Sequence, residues 1–174
     1  MKTYITLLRG INVGGHKKIL MADLRELLEM AGLIKVKTYI QSGNLIFFSY
    51  AESSENEQII TEAIHKNYGW EVPAIVKTPS DLKEIIDNCP FSGEKKKKSY
   101  FTLLSDEPNE EDINEVQMLS NHHDEFFITK TCIYFWSDNY ARSKFNNNFF
   151  ERKLKVNATA RNYRTMMKLI DLSS

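Results

Sequence analysis

Two stretches far apart in the chain read almost alike: Lys2-Thr-Tyr-Ile-Thr-Leu-Leu-Arg9 and Lys98-Ser-Tyr-Phe-Thr-Leu-Leu-Ser105 share five identities in eight. Both are rich in β-branched and aromatic residues, the composition of a pleated, half-buried strand. A second pair repeats with them, since TYIQSGNLIFFS (38–49) matches FFITKTCIYFWS (126–137) in length and apolar pattern. A chain that repeats its strands in one order is constrained to build one supersecondary plan twice.

The elements between the repeated strands define that plan. After the strand at 3–8, Leu20, Met21, Leu24, Leu27, Leu28 and Ala31 recur at helical spacing, with Gly32 placed to end the helix. Strands over 35–41 and 45–50 flank Ser42-Gly43-Asn44, a short hairpin loop. A second helix carries Ile59, Ile60, Ala63, Ile64 and Tyr68 and stops at Gly69, and a strand follows over 72–77. Thr78-Pro79-Ser80-Asp81 has the pattern of an N-cap, a proline at the first helical position and an acid two residues later, opening a helix through Leu82, Ile85, Ile86 and Cys89. The second half gives a strand (100–104), an acid-led helix (110–119), a tight hairpin (125–131 with 132–137) and two terminal helices. The expected fold is α+β: duplicated ferredoxin-like (βαββαβ) halves with antiparallel sheets and extra C-terminal helices. The first half should occupy 1–78, a connecting helix and lysine-rich loop 79–97, and the second half 98–174.

Composition sets limits on function. Twenty-three Lys and Arg balance twenty-three Asp and Glu, so the chain as a whole has no charge bias toward nucleic acid or a membrane surface. No stretch of about 18 apolar residues occurs, so no membrane association is expected and the protein should be cytoplasmic. Cys89 and Cys132 are too few and too scattered for a disulfide framework or a zinc site, and His16, His65, His122 and His123 lack metal spacing. Nothing in the chain names a cofactor, a catalytic residue, an oligomeric state or a bond to be broken.

One loop stands out: Leu-Leu-Arg-Gly-Ile-Asn-Val-Gly-Gly-His-Lys-Lys (7–18). Gly10 and Gly15 are spaced as in a Walker A loop, but His16 stands where that motif needs lysine, and the dinucleotide G-x-G-x-x-G is absent. Two uses of the glycines stay open: a tight turn, or a cradle that aims backbone N–H groups at an anion beside a helix N-terminus. In a βαββαβ half the first two strands end at the same rim. Arg9, Asn12, Gly14 and Gly15 should therefore meet Ser42, Gly43 and Asn44 there, making a candidate site for a small phosphate- or carboxylate-bearing ligand. Nucleic-acid binding, which would show as exposed aromatics on central strands, and a protein-interaction surface, which would show as an apolar patch beside the polar loops, are the alternatives.

LLRGINVGG (7–15), MADLRELL (21–28), TYIQSGN (38–44) and ATARNYRT (158–165) together resemble the bacterial domain-of-unknown-function family sixteen-ninety-seven, with Tyr163 where that family often has tryptophan. The resemblance implies a duplicated ferredoxin-like α+β fold with no established activity. It also implies that Thr159, Arg161 and Asn162 belong with the two N-terminal loops as a third polar segment. From the residues alone, that segment opens the last helix, either as a plain cap or as the completion of an anion site.

Overall fold

The computed structural model describes residues 1–174. In chain order it contains β1 (Lys2–Leu8), α1 (Met21–Met30), β2 (Ile34–Tyr39), β3 (Asn44–Ser49), α2 (Ser53–Tyr68), β4 (Ala74–Lys77), α3 (Pro79–Asp87) and α4 (Gly93–Lys97). These are followed by β5 (Tyr100–Leu104), α5 (Glu110–Gln117), β6 (Asp124–Ile128), β7 (Cys132–Ser137), a short 3-10 turn (Tyr140–Arg142), α6 (Asn147–Leu154), β8 (Ala158–Asn162) and α7 (Tyr163–Ser173). Two compact units result: residues 1–83 with 168–174, and residues 84–167. Each holds one four-stranded antiparallel sheet, ordered β2-β3-β1-β4 in the first and β6-β7-β5-β8 in the second.

The similar strands noted above, 3–8 and 99–104, occupy equivalent places, and the equivalence holds residue by residue. Thr6 of β1 faces Leu45 and Val76, as Thr102 of β5 faces Ile133 and Ala160. Just past each strand, the Leu8 N–H donates to Gly43 O at 2.8 Å and Leu104 N–H to Thr131 O at 3.0 Å. One residue on, Arg9 N–H donates to Pro73 O and Ser105 N–H to Asn157 O, both at 2.9 Å. The helix after each fourth strand is capped alike. Thr78 Oγ1 accepts from Asp81 N–H at 3.1 Å, and Asn162 Oδ1 from Thr165 N–H at 2.8 Å. A glutamate on the preceding helix also tends each fourth strand: Glu57 Oε1 accepts from Val76 N–H and Glu151 Oε1 from Ala158 N–H, both at 2.9 Å. Those bonds satisfy edge groups that would otherwise invite pairing with another chain.

The cores differ in material. In the first unit Tyr4, Leu8, Leu24, Leu28, Leu45, Phe47, Ile60 and Ile64 are all but sealed from solvent, a mainly aliphatic filling. In the second, four rings dominate: Phe126 lies 5.0 Å from Phe145, 5.3 Å from Phe150 and 6.2 Å from Phe135 between centroids. Such spacings are those of favourable aromatic pairs.

Three expectations are corrected. Residues 158–162 form strand β8 rather than opening the last helix, so the second half carries the full βαββαβ order before α7. Ala158, Ala160 and Asn162 have weak strand propensity, and the pairing with β5 supplies what local preference does not. The lysine run folds into the short helix α4, where Lys95 sits over the rings of Trp136 (4.4 Å) and Phe91 (5.1 Å) and pairs with Glu125 at 2.6 Å. Cation–π attraction and an ion pair turn one residue of a charged run into an anchor. The first hairpin loop is longer than Ser42-Gly43-Asn44: Asn44 already pairs with Tyr39 in the ladder, and left-handed backbone occurs at Ile40 (φ 50°) as well as Gly43 (φ 80°).

Candidate functional site

The loop from Arg9 to Leu20 is a hairpin in miniature. Val13 and His16 form an isolated antiparallel bridge around Gly14 (φ 58°) and Gly15 (φ 78°), and the Asn12 N–H donates to Lys17 O at 3.2 Å. Two consecutive positive φ values are the requirement of a two-residue type I′ turn, which explains the glycine pair by local sterics. Asn12 and Lys17 flank the turn at φ 53° and 46°. The Asn12 side chain fastens this hairpin to the rest of the rim. Its Oδ1 accepts from Ile19 N–H at 2.9 Å, and its Nδ2 donates to Ile19 O at 3.0 Å and to Gln41 O at 2.8 Å. One side chain thus ties the glycine loop to the β2–β3 hairpin.

The β2–β3 hairpin needs its own glycine. A Cβ on Gly43 would sit 2.7 Å from Leu8 Cβ and 2.9 Å from Ile11 Cδ1, and φ there is 80°. Space and dihedral both demand glycine at that point. Next to it Asn44 is fully buried, and its Nδ2 donates to Tyr39 O at 2.9 Å and to Ser42 Oγ at 3.0 Å. Ser42, Gly43 and Asn44 thus build the rim.

Where the two hairpins meet they leave a cavity of about 390 Å³ lined by Asn12, Gly15, Lys18, Ile19, Leu20 and Gln41. That volume falls within the range of small-molecule sites, roughly 300–1,000 Å³. α1 begins at this cavity with Leu20 as its N-cap, and no side chain caps the helix. A serine or aspartate there would ordinarily add about 1 kcal/mol. The Lys17 ammonium is spent on Glu71 O at 2.5 Å, whereas Lys18 lines the cavity with its own ammonium unpaired. Large apolar side chains stand exposed on the same loops: Val13 at 61%, Leu20 at 69% and Ile40 at 50%. For a β-branched residue, the left-handed backbone of Ile40 costs on the order of 1–3 kcal/mol.

Of the ten residues singled out in the sequence, Arg9, Asn12, Gly14, Gly15, Ser42, Gly43 and Asn44 belong to the first unit. Asn12 and Gly15 line the cavity itself. Thr159, Arg161 and Asn162 belong to the second unit. There Arg161 lies on β8, nearly buried at 9% exposure, and its Nη1 donates to Thr159 Oγ1 at 2.8 Å and to Ala160 O at 2.9 Å. Asn162 caps α7. Lys18, Ile19 and Leu20 are cavity residues that the sequence presents only as the end of the glycine loop and the start of a helix. Their only signal is a cation immediately before the first apolar pair of a helix.

Elsewhere the chemistry is quiet. Burial pushes the thiol of Cys132 well above its ordinary range, and Cys89 shifts the same way. Burial also raises the Tyr134 phenol, whose hydroxyl donates to Ile85 O at 2.8 Å. A thiol whose charged form is disfavoured by burial is a poor nucleophile. No cluster of three His, Cys, Asp or Glu is arranged to hold a metal, and no helix is long and apolar enough to cross a membrane.

The profile of DUF1697, a protein family of unknown function, matches residues 1–134, which include the glycine loop, the β2–β3 hairpin and the strand that repeats β1. The chain belongs to this family. A solved structure of similar fold, the conserved bacterial protein SP0830 from Streptococcus pneumoniae, superposes with a TM-score of 0.80 at 25% identity, over 99% of this chain and 98% of that one. Likeness to this DUF1697 chain therefore extends through β8 and α7, beyond the residues that the family profile covers. Among curated proteins there is no match.

Proposed function

We propose that this DUF1697 protein binds a small phosphate- or carboxylate-bearing ligand at the rim of its first unit. The cavity bounded by Asn12, Gly15, Lys18, Ile19, Leu20 and Gln41 carries this reading. It is of ligand size, has a lysine without a partner in its wall, and lies at the uncapped, positive end of α1. The loop from 9 to 20 adds Arg9, Lys17 and Lys18 with no acid among its residues, in a chain that is neutral as a whole, and the first acid after it is Asp23 in the first turn of α1. Asn12 is bonded on both sides and holds the two hairpins in place before any ligand arrives. Preorganisation of that kind limits the ordering cost of binding.

The test is calorimetric titration with inorganic phosphate, repeated on Lys18→Ala. The expected result is saturable binding that weakens about tenfold or more in the variant, the loss of one charge-assisted hydrogen bond. No saturation below about 10 mM, an affinity weaker than roughly 3 kcal/mol, would remove the reading.

One observation favours a second reading: Val13, Leu20 and Ile40 are exposed beside the polar loops, as a surface for a protein partner would require. The nucleic-acid reading draws no such support. On the central strands Tyr4, Phe47, Phe101 and Phe135 are buried, and of the half-buried rings Tyr100 is stacked on Tyr140 and Trp136 is covered by Lys95.

A further inference from the structure

We infer that the ligand of this rim is an amphipathic organic anion, a carboxylate or phosphate monoester joined to an apolar body, rather than inorganic phosphate; the inference rests on the anion reading of the same site. Three departures from local preference carry it: Leu20 lines the cavity, and Val13 and Ile40 are chain neighbours of its lining residues Asn12 and Gln41. The N-cap of α1, a position that favours Ser, Thr, Asp or Asn, is Leu20, whose side chain caps nothing and stands exposed in the cavity wall. The corner of the β2–β3 hairpin, which glycine or asparagine would occupy without strain, is a half-exposed isoleucine at φ 50°. Exposed Val13 leads into the Gly14-Gly15 turn.

Each of these residues gives up local stability or solvation, and none has its side chain in the core. A sequence under no demand but folding would replace all three with polar turn and cap residues. With Ile19 and Leu20 in its wall, the cavity offers one apolar side. Lys18 sits between them and the glycine turn and supplies one cationic point. An anion with an apolar body satisfies both, the charge at Lys18 and the body against Leu20 and toward Ile40. The concavity favours a small molecule over a protein surface. A standard protein interface covers about 800 Å² on each partner, far more than three side chains on loop tips.

The experiment compares equilibrium titrations of the full chain with phenyl phosphate, inorganic phosphate and neutral benzyl alcohol, and repeats them on Leu20→Ser and Ile40→Asn. Phenyl phosphate is expected to bind about tenfold or more tighter than either of the others, the factor gained by burying a few apolar carbons. Both variants should bring phenyl phosphate and phosphate within about twofold of each other while raising the melting temperature, since each restores a locally preferred residue. Equal binding of phenyl phosphate and phosphate by the parent protein would overturn this inference, leave the anion reading standing, and assign the exposed apolar residues to a protein partner. Binding of benzyl alcohol as tight as that of phenyl phosphate would also overturn it. If none of the three binds, both readings fall together. A fall in melting temperature in both variants would show that Leu20 and Ile40 serve the fold, and would overturn the inference by removing the sacrifice on which it stands.

Discussion

The two units share strand order, helix caps and the glutamates that tie their fourth strands, yet they differ in their connections, most of all in the one after the first strand. Between β1 and α1 the chain spends residues 9–20 on a glycine hairpin with its own bridge, while between β5 and α5 it spends only 105–109, Ser-Asp-Glu-Pro-Asn, and caps the helix directly with Asn109. There Asn109 Oδ1 accepts from Glu111 N–H at 2.8 Å. The second unit shows that the fold does not require the longer loop. Within 9–20, Ile11 and Ile19 pack into the first core, whereas the Gly14-Gly15 turn and the open cap at Leu20, set against the closed cap at Asn109, have no counterpart in the second unit. The fold is thus kept twice and the glycine-loop cavity is built once; the second unit's own cavity, about 550 Å³, has the acids Asp106 and Glu151 in its wall beside Arg152 and Lys155.

The first way to press this comparison is through the cores. Phe126→Ala should cost about 3–5 kcal/mol in denaturant unfolding, because one ring touches three others. Ile60→Val in the aliphatic core should cost about 0.5–1.5 kcal/mol. Comparable losses would mean that the two cores do not differ as their residues suggest. A second contrast sets the two kinds of glycine apart. Gly43→Ala meets Leu8 Cβ at 2.7 Å as well as an unfavourable φ, so about 2–4 kcal/mol is expected, whereas Gly15→Ala meets open space and bears the dihedral cost alone, about 1–2 kcal/mol. Equal effects would sink the assignment of Gly43 as the close-approach position.

Much of this was legible in the sequence. The repeated YxTLL strands, the matched hairpins and the Thr78-Asp81 cap all stand where the sequence pattern puts them, because each depends on local preference or simple periodicity. β8 was not legible. Its Ala-Thr-Ala-Arg-Asn has little strand character and becomes a strand only by completing the sheet beside β5. At the candidate site, topology placed both loops at one rim, and the Leu8–Gly43 and Asn12–Gln41 hydrogen bonds join them there. What sequence reading could not supply was the division of labour. Asn12 and Asn44 look like ligand-binding side chains but are used on backbone carbonyls, and Lys18 and Leu20 in the cavity wall carry no motif.

A smaller effect separates the units by pH. The position that is Asn44 in the first unit, opposite Leu7, is Cys132 in the second, opposite Leu103. Burial holds the Cys132 thiol protonated in the folded chain, above its ordinary 9.0. Its contribution is complete below that value and is lost as pH rises from about 9 toward the folded value, at up to about 1.4 kcal/mol per pH unit. Unfolding midpoints measured from pH 8 to 10 should fall more steeply in the parent than in Cys132→Val. Identical slopes would count against a buried thiol. Smallest of all, Thr78→Ala and Asn162→Ala should each cost about 1 kcal/mol and match each other within error, since they remove equivalent caps. A large difference between them would break the equivalence of α3 and α7.

The claim that the candidate site is the glycine-loop cavity, built once, is tested most directly by following backbone amide resonances of the full chain during titration with inorganic phosphate. Saturable shifts are expected at Gly14, Gly15, Lys18, Ile19 and Gln41, around the cavity of the first unit, and none at residues 105–109, the corresponding connection of the second. Shifts of equal size at both connections, or at the second alone, would contradict the account.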